Sequence, residues 1–221
     1  MMKSFTFRRR NMIKAVLFDL DGTLLDTNEL IYNSFDKTFK DKLGMELKRE
    51  EIVDFFGRPL GDPFKKHAKE EDVADLVAYY REYNEAIHDT MCFAFDGVKE
   101  LLTSLKDKKI KIGIVTSKRA ELAIRGMKIA GIYDFMDIII TPESTELHKP
   151  NPDPALKACS ELAIEPNEAI MVGDSHYDIY CGKSAGCKTC AVSYTFIGMD
   201  KLKESEPDYF IDKPIDILNL L

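Results

Sequence analysis

Asp19 and Asp21 stand two residues apart where a short apolar run gives way to a glycine turn, in Phe18-Asp19-Leu20-Asp21-Gly22-Thr23-Leu24. Two carboxylates at that spacing can divide a reaction between them. One attacks an electrophile; the other protonates the leaving group and then activates water. Further along stand Thr116 and Ser117, then Lys149 ahead of Pro150-Asn151-Pro152, then Asp174 and Asp178. Phosphoryl transfer has a use for each of these groups. Asp19 and Asp174 suit a hard cation bound through oxygen, with water and a substrate phosphate completing an octahedron. The cation and Lys149 would neutralise the phosphoryl oxygens, and Thr116 and the Ser117 amide would donate hydrogen bonds to them.

For these residues to meet, the fold must gather loops from distant parts of the chain. Short β-branched runs bounded by Gly, Pro or Asp predict strands at residues 14–19, 110–116, 136–140, 169–173 and 189–193. Helical patterns fall between them, at 98–106, 120–129, 153–162 and 178–185. That alternation predicts an α/β fold with a doubly wound parallel sheet. The carboxyl ends of its strands form the ligand crevice, and each candidate residue above follows a strand. From 27 to 92 the rhythm breaks: no strand is predicted, and Ile31, Phe35 and Phe39 mark one helix face. Helices at 29–43, 50–56 and 71–87, separated by Gly57-Arg58-Pro59-Leu60-Gly61-Asp62-Pro63, look like an inserted helical cap. Residues 12–26 and 93–221 then form the catalytic core, and 1–11 a flexible extension. Within the cap, Phe55, Phe56, Tyr79 and Tyr80 are expected to close a small core. Arg58, flanked by turn formers, is placed to aim its planar fork at the far end of a substrate.

Four ordered motifs carry a family resemblance. The Phe18–Leu24 segment resembles the nucleophile motif of the haloacid dehalogenase-like phosphatases. Val115-Thr116-Ser117 resembles their second motif, Lys149-Pro150-Asn151-Pro152 the third, and Val172-Gly173-Asp174-Ser175-His176-Tyr177-Asp178 the fourth. The resemblance spans nearly the whole chain from Met12. It implies Asp19 as nucleophile and Asp21 as general acid and base. It also implies Mg²⁺ held by Asp19, Asp174 and the Asp21 main-chain carbonyl, with Asp178 supporting the metal site. The insert is similar to the helical cap of the phosphoglycolate phosphatase and phosphoglucomutase branch. Asp26–Ile31, Phe56–Leu60, Ile87-His88-Asp89 and Glu206-Pro207-Asp208 resemble the bacterial inorganic pyrophosphatases of that branch. The expected reaction is therefore hydrolysis of a small phosphorylated substrate, pyrophosphate or phosphoglycolate. A phosphomutase would share every core residue, and only the fate of the phosphoryl group separates the two. A phospho-accepting signalling domain fits poorly, because receiver domains lack a helical insert and accept phosphate after the third strand.

Composition narrows the partners. A formal charge of -7 argues against a nucleic-acid binder, which needs a basic face. No apolar run approaches the roughly 20 residues of a membrane helix. The five cysteines, an odd number, lie in apolar stretches and suit reduced thiols in a cytoplasm. Cys187 and Cys190 sit in a strand-like run whose alternate side chains face opposite ways, so they are read as structural. Met1 to Asn11, with Arg8-Arg9-Arg10, reads as a frayed extension, and Met12 is itself a candidate start. Lys118 and Arg119 are read as solvated charges. His88 is read as a packing or surface residue, and His176 as loop-positioned because Mg²⁺ prefers oxygen.

Overall fold

The computed structural model describes residues 12–194 and 196–221; the basic segment before Met12 lies outside them. Six parallel strands form the central sheet: β1 (Ala15–Phe18), β4 (Lys111–Val115), β5 (Ile138–Ile140), β6 (Ala169–Gly173), β7 (Lys188–Val192) and β8 (Tyr209–Ile211). Their spatial order is β5-β4-β1-β6-β7-β8. The winding reverses at β1, which puts the crevice of the sheet at its carboxyl end.

All four β1 residues are buried, as expected for a strand covered on both faces. Val16 and Phe18 join a cluster with Leu101, Leu102 and Leu105 of α5 (Val98–Asp107) and Ala123 and Met127 of α6 (Ala120–Ile129). Ala15 and Leu17 face the other way, toward Ala155, Ala158 and Cys159 of α7 (Asp153–Glu161) and Cys181 of α8 (His176–Ala185). Each fully buried Leu contributes about 1.5–3 kcal/mol through removal from water. Cys187 and Cys190 fall in these two opposite clusters, so one metal ion could not be held by both.

Two features lie beyond the sequence-based expectations. The edge strand β8 pairs with β7 in register Cys190↔Tyr209 to Val192↔Ile211. A two-stranded antiparallel ladder joins β2 (Leu25–Asp26) to β3 (Phe93–Ala94). Between these two short strands run four α-helices: α1 (Asn28–Leu43), α2 (Arg49–Val53), α3 (Gly61–Lys65) and α4 (Val73–Ile87). Helix α2 is shorter than its pattern predicts. After Val53 the chain tightens into i→i+3 turns and breaks at Gly57, whose φ of 75° suits glycine. Pro63 is tolerated in α3 because the first turn has no intrahelical donor to lose.

Phe35, Phe39, Ile52, Phe55, Phe56, Phe64, Leu76 and Tyr80 form one buried cluster among these helices. Phe35 and Tyr80 meet at 4.7 Å between ring centres. The expectation for Tyr79 is corrected: it lies outside the cluster, and its hydroxyl donates to Asp41 on the surface. On α4 the buried residues Val73, Leu76, Tyr80 and Asn84 recur at helical spacing, which turns Tyr79 away. Among the described residues, no helix is long and apolar enough to cross a membrane.

Candidate active site

The end of β1 delivers Asp19 directly, its amide donating to the Val172 carbonyl of β6 at 2.8 Å. The turn that follows depends on Gly22. Its φ is 80°, and a Cβ there would stand 2.2 Å from Asp174 Oδ2. Glycine thus lets the loop after β6 bring Asp174 against the loop after β1. Asp178 enters from the first turn of α8, where the amide and the hydroxyl of the N-cap residue Ser175 both donate to Asp178 Oδ2. Oxygens of Asp19, Asp174 and Asp178 lie within 4.8 Å of one another, and all three residues are buried.

Lys149 reaches the same point from the loop before α7. Its ammonium donates to Asp19 Oδ1 at 2.6 Å, Asp178 Oδ1 at 2.6 Å and the Val115 carbonyl at 3.0 Å. Burial alone would push this amine toward neutrality, but the carboxylates of Asp178 and Asp19 outweigh it and hold the charge. Asp19 feels the opposite balance. Burial lifts its carboxyl to about 7, with Asp178 and Asp21 adding to the rise and Lys149 opposing it. Asp178 therefore does two things at once: it caps α8 and pairs with Lys149.

Thr116 sits buried at the end of β4, its hydroxyl accepting the Lys118 amide at 3.1 Å. Ser117 is exposed at the cavity edge. The bond to Thr116 folds the loop back, and Lys118 is where the sequence reading fails. Its side chain is only 9% exposed, and its ammonium lies 2.9 Å from Asp21 Oδ1. Nothing in the local sequence distinguishes it from a solvated lysine; the signal is the hydroxyl two residues earlier that turns the chain. Asp21 Oδ1 also accepts the Thr27 hydroxyl at 2.8 Å, so the residue that begins α1 touches the second carboxylate of the pair. Arg119 is exposed, as expected.

These groups line a cavity of about 260 Å³ whose far wall comes from the helical segment: Ile31, Phe35, Phe55, Tyr80 and Asn84. Arg58 also lines it, but not as an unattached fork. Its Nε donates to the Asp54 carbonyl at 2.8 Å and its Nη2 to the Asp54 carboxylate at 2.5 Å. His88 is fully buried against Gly126, which agrees with a packing residue.

Four carboxylates (Asp19, Asp21, Asp174 and Asp178) and two ammonium groups, Lys118 and Lys149, converge here, leaving two negative charges when all are ionised. A hard dication with oxygen ligands fits that charge and that donor type.

The haloacid dehalogenase-like hydrolase profile matches residues 16–192. A Clostridium perfringens protein provisionally named as the pyrophosphatase PpaX is 51% identical over 210 residues, covering 95% of this chain and 98% of that protein. The Bacillus cereus pyrophosphatase PpaX is 41% identical over 95% of this chain and 96% of its own length. Among solved structures, the haloacid dehalogenase-like hydrolase SP0104 of Streptococcus pneumoniae superposes with a TM-score of 0.85 at 29% identity, covering 94% of this chain and 98% of that one. A β-phosphoglucomutase of Clostridium difficile, at 22% identity and a TM-score of 0.77 over 93% of both chains, shares the fold. Acids gathered at the end of the first strand, a profile spanning most of the sequence and relatives matching from end to end agree: the chain belongs to the haloacid dehalogenase-like hydrolases.

Proposed function

We propose that this protein is a Mg²⁺-dependent phosphohydrolase that works through an aspartyl-phosphate on Asp19, with inorganic pyrophosphate as its substrate. The observation that carries the reading is the buried meeting of Asp19, Asp174, Asp178 and Lys149, beside a second carboxylate, Asp21, held by Thr27 and Lys118. Asp19 and Asp174, with the Asp21 carbonyl, would hold the cation, and Asp178 would support the site through Lys149. When bound, the cation supplies positive charge against the phosphoryl oxygens.

The residues of the chain then have separable tasks. Lys149 fixes one oxygen of Asp19 and adds a positive charge where the phosphoryl group sits. Thr116 and the Ser117 amide donate to phosphoryl oxygens. The Asp19 carboxylate forms a bond to phosphorus as the bond to the leaving oxygen breaks, and Asp21 gives that oxygen its proton. In the second half, Asp21 takes a proton from water, the water oxygen attacks phosphorus, and Asp19 is released with phosphate. Thr27 and Lys118 both engage Asp21 Oδ1, which leaves Oδ2 for the proton. The apolar wall of Ile31, Phe35 and Phe55 limits bulk water at the phospho-enzyme.

Pyrophosphate is favoured by the relatives named as pyrophosphatases at 41–51% identity and by a small cavity that Lys118 and Arg58 also line. A phosphate-release assay with Mg²⁺ should compare pyrophosphate, phosphoglycolate and sugar phosphates at equal concentration. Pyrophosphate should give the highest kcat/KM. Preference for a monoester by tenfold or more (about 1.4 kcal/mol) would overturn the substrate, and activity retained by Asp19→Asn would overturn the chemistry.

A further inference from the structure

The segment just before α9 (Met199–Glu204) belongs to the sheet side of the molecule yet reaches into the helical side. Helix α9 is anchored by Leu202, fully buried against Ile179 of α8 and Ala191 of β7. From that anchor, Ile197 enters the aromatic cluster formed by Phe35, Phe39, Phe55 and Phe64, where it is 7% exposed. Phe196 lies under the Arg49 guanidinium of α2, 5.3 Å from ring centre to cation. The Lys201 ammonium pairs with Asp54 Oδ1. Asp54 is shared: its other carboxylate oxygen and its carbonyl are the two points that hold Arg58.

We propose that residues 196–201 are a clasp that holds the helical side against the core, and that Lys201 and Asp54 are positioning residues that set Arg58 in the substrate cavity. The inference rests on the reading of Arg58 as a substrate contact given above. The two parts of the clasp differ in kind. Asp54 and Lys201 are 43% and 46% exposed, and an ion pair that open contributes little holding strength. The grip comes from Ile197, buried among aromatic rings. The ion pair supplies direction: with one oxygen of Asp54 drawn to Lys201, the carboxylate is locked and the guanidinium has a fixed seat. Gly57, next to Arg58, rests against the core at Ser175, where a Cβ would stand 3.0 Å from the Ser175 Cβ. Arg58 is thus located from both sides, by Gly57 below and by Asp54 beside it.

Steady-state kinetics with pyrophosphate and Mg²⁺ test this in the full chain. Lys201→Ala should raise KM by about threefold to fivefold with kcat nearly unchanged, the signature of a lost binding contact. Lys201→Arg should restore KM. In an Arg58→Ala background, Lys201→Ala should add nothing, because the group it positions is gone. Ile197→Ala should speed hydrogen exchange at the amides of residues 52–56. Wild-type KM in Lys201→Ala, or effects of Lys201→Ala and Arg58→Ala that simply multiply, would overturn the positioning role. Unchanged exchange in Ile197→Ala would overturn the clasp. A wild-type KM in Arg58→Ala would overturn the substrate reading of Arg58, and with it the positioning role, while leaving the exchange result to decide the clasp alone.

Discussion

Replacing Asp19 by asparagine should stabilise the protein at alkaline pH when divalent cations are removed, and should abolish turnover when Mg²⁺ is present. Asp19 is 7% exposed. Burial lifts its carboxyl from 3.8 to about 7, Asp178 and Asp21 add to the rise, and Lys149 opposes it. A carboxyl with a folded value above its unfolded value binds its proton more tightly when folded. Its contribution to stability is fully present below about pH 4 and is lost as the pH rises through about 7. A gap of about 3 pH units corresponds to a ceiling of about 4 kcal/mol at pH 8. Asparagine carries no charge to bury and escapes that cost. For a chain of this length the ceiling corresponds to about 8–16 °C in Tm. In EDTA at pH 8, Asp19→Asn should therefore melt several degrees above wild type, and the gap should close as the pH falls to 4. Added Mg²⁺ should raise the wild-type Tm more than that of the variant, since a ligand stabilises the form that binds it. The assay is thermal unfolding followed by circular dichroism across pH. Equal Tm values at pH 8 in EDTA, or a gap that widens toward acid, would refute the reasoning.

Other expectations are as direct. Gly22→Ala would push a methyl group to within 2.2 Å of Asp174 Oδ2 at a φ of 80°; it should lower stability by about 1–3 kcal/mol and weaken Mg²⁺ binding, both measurable by calorimetry. Lys149→Met would leave Asp19 and Asp178 buried without their shared cation. It should cost about 3–5 kcal/mol of stability, and kcat should fall by at least about a hundredfold, as read by denaturant unfolding and phosphate release. Lys118→Met removes the cation on Asp21 Oδ1 and should lower kcat/KM by about tenfold or more; a change under twofold would mean that Lys118 has no part in the reaction.

The sheet was legible because its strands are short apolar runs with clear boundaries. Residues 169–173 are strand from end to end, and residues 120–129 are helix. The site was legible for a related reason: in a parallel sheet the catalytic loops follow the strands, so Asp19, Thr116, Lys149 and Asp174 could be placed at one edge before any contact was known. What escaped depends on long-range contact. Strand β8 is three residues, partly exposed, and exists through its ladder with β7 and the bonds of Asp208 to Thr189. Lys118 acts on a partner 97 residues earlier in the chain, and only the turn at Thr116 brings them together. Arg58 was placed at the cavity, but its seat on Asp54 comes from the tight turns that end α2, where the periodicity suggested a longer helix. Ile197 lies in Phe196-Ile197-Gly198, a stretch whose sequence gives no sign that the isoleucine fills another element's core.

The proposed chemistry turns on a covalent step at one carboxylate. Wild-type protein mixed with pyrophosphate and Mg²⁺, quenched in acid within a single turnover and digested, can be read by mass spectrometry. A phosphoryl group should be found on the peptide carrying Asp19, at its side chain, and should be absent from Asp19→Asn. Phosphate released in the first turnover with that peptide unmodified at every quench time, or a phosphoryl group on another residue, would contradict it.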